Sequence, residues 1–390
     1  MKILYIHNEY GKTSGEENAS KEIVDLLKSH GHEVRWFKRS SEEVYFNFRG
    51  HIKAFFTGIY NPSTPRKLAK VLDEYQPDIV QIQNIYPLLS VSLFRPLLQR
   101  NIPTVMRCPN YRLFCPTGLC IDNKGLVCEK CFGKGKETWC IRKNCLNNIF
   151  KSISYALRNC YARKSRKILD GVDIFIVQSE FQKQKFISRG ISEKHIEILP
   201  GISPNIEVAQ EDTLGEWVSF IGRVSSEKGI YEFLEAAKSL PEIPFKVAGN
   251  LDINFIKPAL LPSNLEFVGF KKGDELNRFF SRSRIIVVPS KWYEGFPNVI
   301  LRAMILKRPV ISTRIGAMLS IIDDHENGLL VQPGNVAELS LAIKNLYPDI
   351  QRCKEMGESG HLKAESEYSR DEVYNKLIRI YQKAIKFNEQ

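Results

Sequence analysis

Short apolar runs alternate with amphipathic stretches along most of the chain. In the first half KILYIH (2–7), EVRWF (33–37), YQPDIVQIQN (75–84), IPTVMRCPN (102–110) and GVDIFIVQS (171–179) read as strands. Between the first two, ASKEIVDLLKSHGHEV carries Ile23, Leu26 and Leu27 at helical spacing and stops at Gly31. The second half repeats the alternation. WVSFIGR, FKVAGN, LEFVGF, RIIVVPS and RPVIST are predicted strands, and EFLEAAKSL, ELNRFFSRS and the run after EGFP are predicted helices. β-branched runs separated by helices point to parallel sheets covered on both faces.

A chain of 390 residues is too long for one ordinary domain. The segment 198–216, rich in Pro, Gly and acids, suits a linker. The expected organisation is α/β, with two doubly wound Rossmann-like domains facing a cleft and no short-period repeat. They span 1–205, with a Cys-rich insert at 108–145, and 206–370; a last helix over 371–390 is expected to cross back to the first domain. Ligands are expected at the carboxyl ends of the strands.

Composition narrows the class. With 43% hydrophobic and 26% charged residues the chain reads as globular. No apolar run approaches the roughly 20 residues that span a bilayer. The opening MKILYIHNEYGKTSG turns polar too soon for a secretory signal, so a cytoplasmic location is expected. The net charge of +12 is uneven: residues 1–205 carry 32 Lys+Arg against 19 Asp+Glu, and residues 206–390 carry 24 against 25. A basic half favours an anionic partner, whether phosphate-bearing substrate, membrane surface or nucleic acid.

Seven of nine cysteines fall between Cys108 and Cys145. Cys128-x2-Cys131 and Cys140-x4-Cys145 stand close to four-thiolate zinc spacing, with Cys115 and Cys120 as substitute ligands. Disulfides and free thiols are the other two readings. Such zinc would be structural, since all four positions would be filled.

Two stretches carry candidate chemistry. In FIGRVSSEKGI a strand ends at Gly222, and Arg223 and Lys228 follow on one loop. An Arg fork and a Lys point charge suit a diphosphate; two solvated loop cations are the alternative. In KWYEGFPNVILRAM, Glu294 precedes a turn, and Pro297 suits the first helical turn. The free amides of Asn298 and Val299 would then face an anion, while Glu294 accepts from sugar hydroxyls or merely caps the helix.

Together with VAGN, ENGLLVQPGNVAEL and SGEEN, these stretches resemble a glycosyltransferase of family 4, with the GT-B fold. The resemblance covers nearly the whole chain and is strongest from Phe220 to Leu339; similar cysteines mark a subset of that family. It implies retaining transfer, of the hexosyl type, from a UDP- or GDP-linked sugar, with no cofactor required for catalysis. By position, Arg223 and Lys228 grip the diphosphate, with Gly222 before them. Glu294 holds the donor sugar, and Gly295, Phe296, Pro297, Asn298 and Val299 surround sugar and phosphate. Gly15 lets the backbone approach the donor phosphates. Asn110 and Tyr111 are the acceptor-binding candidates.

The departures from the family pattern cluster at polar positions. The family's second glutamate is replaced by Arg302, which has five donors and no acceptor. Gln81, Gln83 and Pro109 stand near usual histidine positions, and Ser320 where a glutamate is common. Two accounts follow: an active enzyme in which Arg302 reaches a phosphate or pairs with an acid, or a catalytically impaired binding or partner subunit.

The run 147–169 holds Ile149, Phe150, Ile153, Leu157 and Tyr161 at near-helical spacing. Lys151, Arg158, Arg163, Lys164, Arg166 and Lys167 lie among or after them, without one acid. It reads as a basic helix suited to an anionic leaflet, or as an ordinary domain helix with a solvated basic face. A glycan or lipid-linked acceptor at the inner face of a membrane is therefore expected. Nucleic acid would account for the charge but not for EGFPNVIL, and is not expected as a partner.

Overall fold

A computed structural model describes residues 1–10, 15–45, 48–133, 135–206, 215–250, 256 and 261–389. Parts of the first loop (11–14) and of the linker (207–214) lie outside the described residues. The chain divides into two compact units. The first comprises Met1–Lys124, Cys128–Ile202 and Val373–Gln390; the second comprises Gly125–Val127 and Ser203–Glu372.

The first unit is built on six parallel strands: β1 (Lys2–Glu9), β2 (Glu33–Ser40), β3 (Ile79–Asn84), β4 (Thr104–Arg107), β5 (Ile174–Val177) and β6 (Ile196–Ile198). Their order is β2-β1-β3-β4-β5-β6, with Ile3 opposite Ile79 and Val105 opposite Ile174. One face packs Ile3, Tyr5, Val105 and Ile174 against Leu26 and Leu27, and against Val373, Leu377 and Tyr381 of the helix Arg370–Asn388. The last helix thus completes the core of the first unit.

The second unit holds β7 (Trp217–Ile221), β8 (Phe245–Ala248), β9 (Leu265–Phe267), β10 (Ser283–Val288), β11 (Val310–Thr313) and β12 (Gly328–Val331), also all parallel. Their order is β12-β11-β10-β7-β8-β9. The run Ile285-Ile286-Val287-Val288 shows why such strands look uniformly apolar. Ile285 and Val287 enter one core with Phe220, Phe233 and Phe245, while Ile286 and Val288 enter the opposite core with Ile300, Leu301 and Met304. Side chains alternate, and both faces are covered.

Strand order reverses between β7 and β10, which are neighbours with Phe220 opposite Val287. Loops leaving a sheet at such a point diverge and leave room for a ligand. β6 and β12, missing from the sequence expectations, are short edge strands of three and four residues.

Candidate functional site

Both singled-out loops leave the β7/β10 reversal. The chain turns at Gly222 with φ of 139°, then forms a short 3-10 turn at Ser226–Lys228. Gly229, at φ 79°, ends it. A Cβ there would lie 1.9 Å from the carbonyl oxygen of Pro289, so only glycine lets the two loops touch.

That approach delivers Lys228 to Glu294. The ammonium Nζ donates to Glu294 Oε1 at 2.5 Å, and the same oxygen accepts from Ser290 Oγ at 2.7 Å and Trp292 Nε1 at 3.0 Å. The Lys228 ammonium also lies 5.5 Å from the Trp292 ring centroid. Glu294 is buried, and a buried carboxylate needs this kind of pairing. Its Oε2 has no hydrogen bond among the described residues. Ser290 and Trp292 were not singled out in the sequence; their position between a strand end and the acid is the signal that could have found them.

Arg223 stands apart from this group. Its side chain is 63% exposed and donates to Glu227 at 2.7 Å, an i,i+4 pair. The two expected phosphate-gripping cations are therefore each paired with a different carboxylate.

Pro297 is the N-cap of the helix Asn298–Ile305 (φ −80°, ψ 98°), one position before the first helical turn where it was expected. No side chain caps this helix, so its first amides, Asn298 and Val299, keep their donors open beside Gly295. Phe296 turns away and packs edge-on against Tyr368, ring centroids 5.5 Å apart. From the loop after β11, Gly316 fits against Tyr293, where a Cβ would lie 3.2 Å from the Tyr293 Cα.

Among the described residues Arg302 stands outside the Glu294 group. Its Nη1 donates to Asn277 Oδ1, and its guanidinium lies 6.0 Å from the Phe280 ring centroid. Both partners sit on the helix Gly273–Ser281, so Arg302 ties two helices together. Ser320 lies in the turn Met318–Ile321, and its carbonyl accepts from Lys363 at 3.3 Å.

In the first unit Gly15 opens the helix Gly15–Ser29. A Cβ there would meet no atom of the described residues within 4 Å, so none of them demands glycine by crowding. A buried hydrogen-bond chain crosses the sheet beneath. Tyr381 donates to Gln81 Oε1, Gln81 Nε2 to the Tyr5 hydroxyl at 3.2 Å, Tyr5 to Gln83 Oε1 at 3.2 Å, and Gln83 Nε2 to Glu16 Oε1 at 3.4 Å. Burial raises the Glu16 carboxyl above its ordinary range. Asn110 lines a cavity of about 710 Å³. Tyr111, the other acceptor candidate, is fully buried and does not line it.

The thiols of the insert gather. Cys131, Cys140 and Cys145 share a small apolar cluster with Ala156 and Trp139. Cys128 is held through its amide on the Cys120 carbonyl at 2.8 Å. Among the described residues no group of three or more His, Cys, Asp or Glu has a geometry that could hold a metal ion.

The predicted basic helix spans Ile149–Ser165. Ile149, Phe150 and Leu157 are exposed, Phe150 by 77%. Arg158, counted among its solvated cations, is instead buried. It donates to the Pro116 carbonyl at 2.8 Å and lies 4.1 Å from the ring centroids of both Tyr86 and Tyr155.

Residues 205–363, nearly the whole second unit, match the family model of glycosyl transferases group 1. The chain is 30% identical over 193 residues to the uncharacterized glycosyltransferase MJ1178 of Methanocaldococcus jannaschii, covering 48% of this chain and 53% of that protein. It is 25% identical over 300 residues to an uncharacterized 42.6 kDa protein in the cps region of Klebsiella pneumoniae, covering 75% of this chain and 68% of that protein. The chain spans about half the length of several curated relatives it matches, MJ1178 among them. The structure of Anabaena Alr3699/HepE in complex with UDP superposes with a TM-score of 0.68 at 16% identity, covering 98% of this chain and all of the other. The fold is GT-B-like, with two parallel six-stranded sheets.

Proposed function

We propose that this protein is a retaining glycosyltransferase of family 4. It moves a sugar from a UDP- or GDP-linked donor to a glycan or lipid-linked acceptor in cell-surface polysaccharide assembly. One observation carries the reading: a buried carboxylate, Glu294, held by Lys228, Ser290 and Trp292 beside an uncapped helix at the strand-order reversal of a group 1 domain. Glu294 keeps Oε2 for donor sugar hydroxyls. Lys228 has three donors and spends one on Glu294, leaving two for a diphosphate. Arg223, on the same loop, gains a phosphate partner by leaving an exposed pair that holds it weakly.

In this scheme the acceptor hydroxyl oxygen bonds to the anomeric carbon as the bond from that carbon to the diphosphate breaks on the same face, and the hydroxyl proton passes to the departing diphosphate oxygen. Cations near the leaving oxygens supply most of the help, which is why the step as proposed calls for no metal. That the Anabaena structure was solved with UDP supports a nucleoside-diphosphate donor, as does the Klebsiella relative's cps region for polysaccharide work. Exposed Ile149, Phe150 and Leu157, flanked by Lys151 and Lys164, support peripheral attachment to an anionic leaflet at the cytoplasmic face. No helix among the described residues is long and apolar enough to cross a membrane.

A thermal-shift screen of nucleotides and nucleotide-sugars tests the donor half. A ligand at about 100 times its Kd adds roughly 2.7 kcal/mol, an easily read shift. A second reading, a binding subunit without turnover, is favoured by Arg302, which offers donors to Asn277 where an acceptor for ribose hydroxyls would be needed. Wild type and Arg302→Glu assayed against one donor panel separate the two. Neither donor stabilisation nor turnover in wild type would favour the second.

A further inference from the structure

The cavity of the first unit opens where β3 and β4 end, and Arg107, the last residue of β4, lines it. Arg107 is only 2% exposed, yet its Nε and Nη1 have no hydrogen-bond partner among the described residues. Glu16 is near enough to be felt electrostatically. Its two oxygens, however, accept from the Tyr10 hydroxyl at 2.8 Å and the Gln83 amide at 3.4 Å. Buried polar groups are nearly always satisfied, and a buried guanidinium without acceptors is the costliest exception.

The surroundings say what would satisfy it. Arg163, Lys164, Arg166 and Arg189 also line the cavity, against only two carboxylates, Glu16 and Glu137. Glu137 is already engaged by Arg163 at 2.6 Å. Leu113, Phe114, Ile168 and Ile191 supply apolar wall. A mostly preformed cavity with a few convergent cations is built for a molecule carrying an oxyanion.

We propose that this cavity seats the acceptor through an oxyanion, phosphate or carboxylate, held by Arg107. The proposal rests on the transferase reading for the word acceptor, but the anion site stands on the geometry of the first unit alone. A neutral sugar would leave the buried donors unmatched, so Arg107 acts as a specificity residue.

The test uses the full chain carrying Lys228→Ala, which weakens the second unit's own phosphate affinity. Inorganic phosphate, D-glucuronate and D-glucose are titrated by calorimetry. Binding of at least one anion, none of glucose, and a loss of tenfold or more on Arg107→Gln are expected. Preference for phosphate assigns a phosphate-linked acceptor, and preference for glucuronate an acidic sugar. No anion binding, or anion binding unchanged by Arg107→Gln, overturns the proposal. Should Arg107→Gln not fold, the ¹⁵Nε resonance of Arg107, assigned with Arg107→Lys, must shift as the anion is added; a fixed resonance overturns it equally. Nucleotide binding by wild type, measured alongside, keeps the two ideas separate: its absence would remove the transferase reading and leave the anion result standing.

Discussion

Lys228 Nζ lies 2.5 Å from Glu294 Oε1, a bond between side chains 66 residues apart on neighbouring loops. Arg223, five residues before Lys228, bonds instead to Glu227 and remains 63% exposed. Two cations that look equivalent in sequence therefore sit in different dielectric surroundings and do different work.

Their variants should separate stability from binding. Lys228→Ala leaves the buried Glu294 with Ser290 and Trp292 only, and should cost about 2–4 kcal/mol in urea unfolding. Arg223→Ala removes an exposed pair and should stay within about 0.5 kcal/mol. Both should weaken UDP or GDP binding by tenfold or more in calorimetry. If Arg223→Ala binds nucleotide like wild type, Arg223 has no part in holding the diphosphate.

Gly229→Ala should be far worse than its chemistry suggests. The new methyl would lie 1.9 Å from the Pro289 carbonyl oxygen at a left-handed backbone position. A loss of about 3 kcal/mol or more, with parallel loss of nucleotide binding, is expected. Gly15→Ala is the contrast: none of the described residues crowds it, and its effect on Tm should be within about 2 °C either way.

His7 should make the first unit acid-sensitive. It is buried, both ring nitrogens lack partners among the described residues, and burial pushes its pKa down to about 4. The unfolded chain binds a proton near pH 6.5 and the folded chain does not. Stability is therefore unaffected above pH 6.5 and falls as pH drops from 6.5 to 4, by up to about 3 kcal/mol. Urea midpoints of wild type and His7→Leu at pH 7 and 4.5 measure it. An equal decline in both would clear His7 of the effect.

The helix Arg370–Asn388 should be indispensable to the first unit. Its Val373, Leu377, Ile380, Tyr381 and Ala384 are buried there, and Tyr381 donates to the buried Gln81. Tyr381→Phe should cost about 1–3 kcal/mol. Removal of 370–390 should abolish the cooperative unfolding transition of the first unit, read by circular dichroism. Retention of that transition would refute the role.

Much of the fold was legible because apolar periodicity is local. Runs such as KILYIH and RIIVVPS name their strands without reference to anything distant, and the loops bearing Lys228 and Glu294 were visible at strand ends. β6 and β12 escaped, and shortness at a sheet edge is not the reason, because β9 is equally short, also an edge strand, and was legible in LEFVGF. Arg158 was read as a solvated cation because its position on a basic helix is all the sequence reveals; Tyr86, one of the two tyrosines that flank it, and the Pro116 carbonyl come from elsewhere in the chain.

What the sequence determined by itself is the alternation of strands and helices, the two-sheet architecture it implies, and which loops carry cations, an acid and a proline-marked helix start. The tertiary structure alone decided the partners. Lys228 found Glu294, Arg302 found Asn277, and Arg107 was buried with donors unspent. Periodicity is set by residues three or four positions apart, whereas the pairing of a charge depends on which surfaces the packed sheet brings within about 3 Å.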